Sequence, residues 1–442
     1  MDVDALYRCP GETYEISRSV HLGRLASFYP ACGDCQHRTD TASFSGRRAR
    51  LISELQRHSS RANPTFDAEG LSGVFLNEIG PDAARRVGQA LGICLAHMAT
   101  AAAESSLSPE PGIDAAPRVL IAHDGRPSTS ELAAAAADGL RWASSTTIDL
   151  GAATAPGLVL AAEREQIDGA VLVSNPSGEP QHVGIALWAA FGEPMSSPGA
   201  LDAVKELFPS PATRPRSAPT GHERMSIDEQ YLAQLEPHFH ALRPLRIVVN
   251  TTSPVLTRYL ERLSGAVAIE IDRGFGHVAR AKEDAKQSES PAISVERLQK
   301  IADRVRSIQA HFGIWIDGDG ESCRVIDQRG ELVPVELLAA MIVRELLMTE
   351  PATKVVISAK LPALASAAKK SGAQVIRVAN TRQAIWTAIR QHEADFAADD
   401  YGRIWFTGQP VSADALKVLT LVLTLMSRSD RPLSELIASA IL

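Results

Sequence analysis

The feature that most constrains this chain is a regular alternation of short apolar runs with amphipathic stretches of about ten to fifteen residues. Beyond a loop at Glu104–Pro117, apolar runs at Arg118–Ala122, Thr147–Leu150 and Gly169–Val173 read as strands. Helical periodicity lies between them at Glu131–Trp142 and Pro156–Arg164, and an earlier helix opens at Pro81 and runs to Met98. Such an order predicts a mainly parallel sheet with helices on its faces. Phe208–His222 carries four prolines and reads as a linker.

The alternation then resumes twice. Strands at 245–250, 266–271 and 313–316 alternate with helices at 255–263 and 295–309. A third set begins near Val325, with helices at 335–348, 361–370, 382–390 and 414–427 around strands at 354–358, 374–378 and 403–406. The expected organisation is an N-terminal extension (1–62), a first α/β unit (63–207), a second (223–324) and a third (325–442).

With 442 residues and 45% apolar content the chain can fill several cores. A net charge of -7 excludes a nucleic-acid surface as the main business. No run of about 18 apolar residues is present, and MDVDALYRCPGE is no signal peptide, so a cytoplasmic protein without membrane contact is expected.

Chemistry concentrates at Gly313-Ile-Trp-Ile-Asp317-Gly-Asp319-Gly-Glu321, where three carboxylates alternate with glycines after an apolar run. Acids on a tight turn can aim their oxygens at one point, as a hard cation such as Mg2+ requires. The alternative is a solvated acidic turn between strands. Asn175-Pro-Ser177-Gly is likewise a good plain turn, so Ser174 and Ser177 read either as turn residues or as nucleophiles.

In order along residues 66–440, these segments resemble the α-D-phosphohexomutase superfamily, which includes phosphoglucomutases and phosphomannomutases. Gly70-Leu-Ser-Gly-Val-Phe75 resembles its GIRG-like opening and His123-Asp-Gly-Arg126-Pro-Ser128 its GxDxRxS turn. Val173-Ser174-Asn-Pro-Ser177-Gly178 falls on the phosphoserine loop, Asp317–Glu321 on the DGDxDR metal loop, and Ala398-Asp399-Asp-Tyr401-Gly-Arg403 on the sugar-recognition GEXSGH loop. The resemblance implies three tandem α/β/α domains and phosphoryl transfer from Ser174, with Ser177 as the alternative, to a hexose phosphate. Mg2+ would sit on Asp317, Asp319 and Glu321, and Arg126, Asp399, Tyr401 and Arg403 would contact substrate. His182 is the candidate stand-in acid–base group, against a solvated loop histidine.

The departures from the family pattern are as informative. The phosphoserine loop lacks its His, the metal loop carries Ser322 where the family has Arg, and Ser72 replaces the GIRG arginine. The sugar loop has exchanged Glu for Asp399, Ser for Tyr401 and His for Arg403, and no RxSGTEP phosphate loop precedes Leu442. Arg324 is a substitute cation provided that the strand has begun by that point. Together these imply a degenerate mutase, a non-catalytic sugar-phosphate-binding regulator, or a scaffold. Cys9 and the pair Cys32 and Cys35, with His37 or His21, supply a possible Zn2+ set for recruiting a protein partner. The alternative for these cysteines is a group of reduced thiols. His123 could face the site, and His277 has no assigned task.

Overall fold

A computed structural model describes residues 6–9, 13–26, 29, 32, 35–41, 44–46, 49, 64–105, 116–177, 181–210, 221–240, 242–265, 267–272, 293–350, 353–408 and 410–439, excluding the side chains of 101–105. Three mixed sheets carry it, besides a small antiparallel hairpin (Leu6–Arg8 with Glu15–Ser17) followed by a helix at Arg18–Ala26.

The first sheet has seven strands in the order Thr65–Phe66, Gly70–Val74, His182–Trp188, Gly169–Ser174, Arg118–His123, Thr146–Ala152 and His222–Arg224. Its centre is parallel, as the alternation predicts, and the side nearest Gly70–Val74 is antiparallel. The expected linker does not run clear of this sheet. Its last residue, His222, opens a strand that returns to pair in parallel with Thr147–Asp149. A three-residue strand is too short for periodicity to reveal.

The second sheet orders Ala268–Asp272, Arg246–Asn250, Phe312–Ile316 and Cys323–Asp327. Its last two strands are an antiparallel hairpin, with Ile316 opposite Cys323. The expected boundary at 324 therefore falls inside the hairpin whose tip is the carboxylate turn. In the third sheet Gln374–Val378, Lys354–Ser358 and Phe396–Ala398 are parallel, and Ile404–Phe406 and Ser412–Ala413 continue it antiparallel. One buried apolar cluster runs through all three sheets, from Leu120 and Trp188 through Ile247 and Phe312 to Phe396 and Leu419.

Helix starts follow local chemistry. Thr154, Ser253 and Thr381 each accept an amide from the first turn, and Pro156 and Pro254 sit where a missing N–H costs nothing. Asp414 caps helix Ala415–Ser427 with one carboxylate oxygen on the amides of Leu416 and Lys417, both 3.0 Å.

Helices Pro81–Ser105 and Pro127–Trp142 pack backbone to backbone. A Cβ at Gly139 would lie 2.0 Å from the Arg85 carbonyl oxygen, and one at Gly88 would lie 2.1 Å from that of Ala136. Gly139→Ala gains about 1 kcal/mol of helix propensity, but forcing the helices apart costs about 1–3 kcal/mol and the obstruction is rigid main chain. The variant is expected to melt several degrees below wild type in a calorimetric scan. An unchanged or higher Tm would show that the crossing is looser than described.

Candidate active-site cleft

The carboxylate turn is fixed by main-chain contacts from several directions. Asp317 turns its own oxygens inward: Oδ1 accepts the amides of Gly320 (2.8 Å) and Glu321 (3.0 Å), and Oδ2 that of Ser322 (3.1 Å). The amide of Ala155, at one helix start, donates to the Asp319 carbonyl at 2.8 Å. The amide of Ala415, at another, donates to that of Gly320 at 3.0 Å. Gly318 donates to the Asn175 carbonyl at 3.0 Å, and a Cβ there would stand 2.5 Å from that oxygen. Glycine at 318 is thus what lets the serine loop and the acidic turn touch.

That contact delivers Ser174, at the end of its strand, to Asp319. Its hydroxyl donates to Asp319 Oδ1, and the serine is 1% exposed. Ser177 instead bonds Asn175 Oδ1 at 3.1 Å, as the plain-turn reading expects, and does not line the cleft.

The expected Mg2+ cradle is closed. Arg382, the first residue of helix Arg382–His392, places its Nη2 2.7 Å from Glu321 Oε2 and 3.2 Å from Asp319 Oδ2. With Asp317 committed to three amides and the other two acids sharing a guanidinium, the three carboxylates present no common open face for an octahedral ion. Among the described residues, no group of three or more His, Cys, Asp or Glu side chains is placed to hold a metal. The residues present do not fit Mg2+.

Glu69, just before strand Gly70–Val74, joins the first sheet to the third. Arg403 grips it with two parallel bonds, Nη1 to Oε2 at 2.5 Å and Nη2 to Oε1 at 2.8 Å, and the Arg382 amide adds a third at 3.1 Å. Arg403 also turns its Nε to Asp399 Oδ2 at 2.6 Å. The sugar-loop pair Asp399 and Arg403 is therefore spent inward, both buried, with Tyr401 stacked over Arg403 at 4.8 Å.

Charge balance explains the acidities. Four carboxylates (Glu69, Asp319, Glu321, Asp399) share two guanidiniums. Burial raises Glu321 to about 7 against the pull of Arg382 and Arg403, and raises Asp319 against the same two arginines. Burial, with Asp319 and Glu321 beside it, also pushes Asp317 well above the carboxylate range. Burial acts to raise Glu69 too, but Arg403 and Arg382 outweigh it and hold Glu69 at about 2. Desolvation raises Tyr401 to about 12, so its phenol stays protonated.

These groups border a cleft of about 250 Å³ that meets all three sheets, lined by Asp67, Ser72, Ser174, Trp315, Arg324 and Tyr401 among others. The strand has begun by Cys323, so Arg324 does face the cleft, as its spacing from Ser322 predicts. Its described partners are main-chain carbonyls of Tyr401 (2.7 Å), Cys323 (3.0 Å) and Asp400 (3.3 Å). Gly402, at φ +80°, leaves the room that this guanidinium fills.

Other expected residues fall elsewhere. Arg126 pairs with buried Asp124 at 2.8 Å and donates to the His182 carbonyl at 3.2 Å, outside the cleft lining. His182, the candidate stand-in acid–base group, opens its strand and does not line the cleft either. His123 accepts the Gly125 amide on Nδ1 at 3.1 Å, also away from the lining. His277 lies outside the described residues.

The expected Zn2+ set is not supported either, since among the described residues its members do not gather as a group of metal ligands. Cys9 packs with Tyr7 and Ile16 and its Sγ accepts from Arg24 at 3.0 Å, whereas Cys32 packs on Leu25 in a separate cluster. Cys35 Sγ accepts the His37 amide at 3.4 Å. His21 stacks flat on Tyr7, ring centroids 4.1 Å apart, and reaches the Asp40 carbonyl.

Residues 63–210 match the family model described as phosphoglucomutase/phosphomannomutase, alpha/beta/alpha domain I. A phosphoglucosamine mutase of Parafrankia sp. (strain EAN1pec) is 25% identical over 335 residues, covering 74% of this chain and 70% of that protein. A probable phosphoglucosamine mutase of Thermococcus gammatolerans is 25% identical over 381 residues, 84% and 78% of the two chains. Among solved structures, a phosphoglucomutase/phosphomannomutase family protein from Burkholderia thailandensis superposes with TM-score 0.67 at 20% identity, over 84% of this chain and 78% of that one. A putative phosphomannomutase from Thermus thermophilus gives 0.67 at 15% identity, over 86% and 84%. The chain therefore resembles the phosphohexomutases over most of its length, and the family model itself covers its first α/β unit.

The clamp on Glu69 makes stability pH-dependent. A carboxyl held at about 2 instead of 4.5 adds stability above pH 4.5 that disappears as pH falls through 2. The amount is on the order of 3 kcal/mol. Glu69→Gln is expected to flatten that acid limb and to lower Tm at pH 7, because it takes one carboxylate partner from each of two buried arginines. A variant with a wild-type acid limb would show that Glu69 does not hold these charges.

Proposed function

We propose that this chain is a phosphohexomutase-family protein that binds a hexose phosphate or a related small molecule without running the mutase cycle. The carrying observation is the inward commitment of the reaction groups: Ser174 is bonded to Asp319 at 1% exposure, and Arg382 spans Asp319 and Glu321. A serine that is to accept and return a phosphoryl group needs space and cationic neutralisation around its oxygen. Here Arg382, the cation on the serine's own partner Asp319, is already shared with Glu321 and Glu69.

What stays available is Arg324, charged and bonded to carbonyls, with Tyr401, Ser72 and Asp67 around it. A guanidinium over a cavity suits a phosphate, and hydroxyl and carboxylate groups suit sugar hydroxyls. The mutase reading with Ser174 as nucleophile stays the second reading, favoured by relatives that are themselves named phosphoglucosamine mutases. Among the described residues no helix is long and apolar enough to cross a membrane. A cytoplasmic, regulatory role fits this reading, and the N-terminal hairpin and helix form a candidate surface for a protein partner.

Intact mass of the purified protein is expected to show no phosphoserine, and a coupled assay with glucose, mannose or glucosamine phosphates no turnover. Stoichiometric phosphorylation at Ser174 with turnover would establish the second reading instead. In a thermal-shift titration hexose phosphates should raise Tm where free hexoses do not. Arg324→Met should weaken that binding roughly ten- to a hundredfold, the loss of one charge-assisted contact of about 1.5–3 kcal/mol. No shift with any hexose phosphate would remove the ligand assignment.

A further inference from the structure

The metal loop raises a question that a loss of activity does not answer, namely what balances its acids. Removing the cation from such a turn ordinarily leaves buried carboxylates that repel one another and must protonate or open to water. Here the turn is closed and buried, with Asp317, Asp319 and Glu321 each at most 3% exposed.

We propose that the Arg382 guanidinium stands in the place of the superfamily's divalent cation, so that a side chain of this chain, rather than a metal, closes the carboxylate turn. The position is built from four sides. Asp319 and Glu321 receive Nη2, as described. The Nε lies 3.5 Å from Glu69 Oε2 on the far side. The ring of Trp188 lies 5.8 Å from the guanidinium carbon. The backbone of Arg382 is anchored too, its amide on Glu69 Oε1 at 3.1 Å, at a helix start capped by Thr381. The group is held at both ends of its side chain and is 8% exposed.

The chemistry of the donors agrees. A divalent ion needs oxygens with free lone pairs in a compact shell. Asp317, the acid nearest the strand, spends its oxygens on three amides of the same turn. The remaining two acids converge on one nitrogen of the guanidinium, Nη2, at 3.2 Å from Asp319 Oδ2 and 2.7 Å from Glu321 Oε2, so a single positive group already occupies the point between them. The Ser174 hydroxyl then donates to Asp319 Oδ1, the oxygen that Arg382 leaves open.

The inference concerns the metal loop alone and goes beyond the ligand assignment above, so the two fail separately. Mn2+ serves as the probe, followed by electron paramagnetic resonance of the free ion and by thermal shift on the full chain. Wild type is expected to bind no Mn2+ at millimolar concentration and to keep its Tm in Mg2+, Mn2+ or chelator. Arg382→Ala, which frees Asp319 and Glu321, is expected to gain about one Mn2+ per chain and a metal-dependent rise in Tm. The double variant Arg382→Ala/Asp319→Ala should lose that gain.

One Mn2+ bound by wild type and lost on Asp319→Ala would overturn the inference, since the metal would then displace the arginine. A folded Arg382→Ala protein that binds no metal would also overturn it, because the position would not be a cation site. If Arg382→Ala does not fold, Arg382→Lys and the wild-type titration decide. A phosphoserine on a metal-free wild type would defeat the non-mutase reading while leaving this one intact.

Discussion

The structure turns on the ion-pair system in which Arg382 and Arg403 are shared among Glu69, Asp319, Glu321 and Asp399. Its members come from all three sheets. Glu69 precedes a strand of the first, Asp319 and Glu321 tip the hairpin of the second, and the arginines with Asp399 belong to the third. Buried ion pairs add little net stability over well-packed apolar groups, because desolvation offsets their attraction. Their larger effect is to penalise any arrangement that separates them, typically by about 3–5 kcal/mol when one partner is lost. The mutual placement of the sheets is therefore specified by charge, while the apolar cluster running between them supplies most of the driving force.

The α/β architecture was legible because each strand and helix carries its own period. Lys354–Ser358 and Gln374–Val378 are bounded by turns on both sides, and they form over the expected residues. Phe396–Ala398, Ser412–Ala413 and His222–Arg224 were not legible, being two or three residues long and created only by pairing. The same limit applies to Cys323–Asp327, which looks like the start of a new unit until its partner Phe312–Ile316 is in place.

Of the candidate site, the acidic turn and Ser174 could be brought together from sequence because their motifs occur in a known order. Arg324 followed from strand alternation. The roles of Glu69 and Arg382 could not, since each is defined by partners far away in the chain: Glu69 meets Arg403 across 334 positions. Charge-balance reasoning would have asked for a cation near three buried acids. It would have had no means of choosing Arg382 among the chain's arginines. Arg126 failed in the opposite direction, because its nearest acid, Asp124, is two residues away and claims it locally.

Arg382 is also the first residue of a helix, and that has a kinetic consequence. Its main-chain amide is bonded to Glu69 while its side chain spans Asp319 and Glu321, so any shift of the helix start carries the guanidinium with it. Asp319 and Arg382 both border the cleft, so a solute that enters it meets the guanidinium before the covered oxygen of Asp319. Exchange at that oxygen is then set by how often the guanidinium leaves it, a slower clock than diffusion into the cleft.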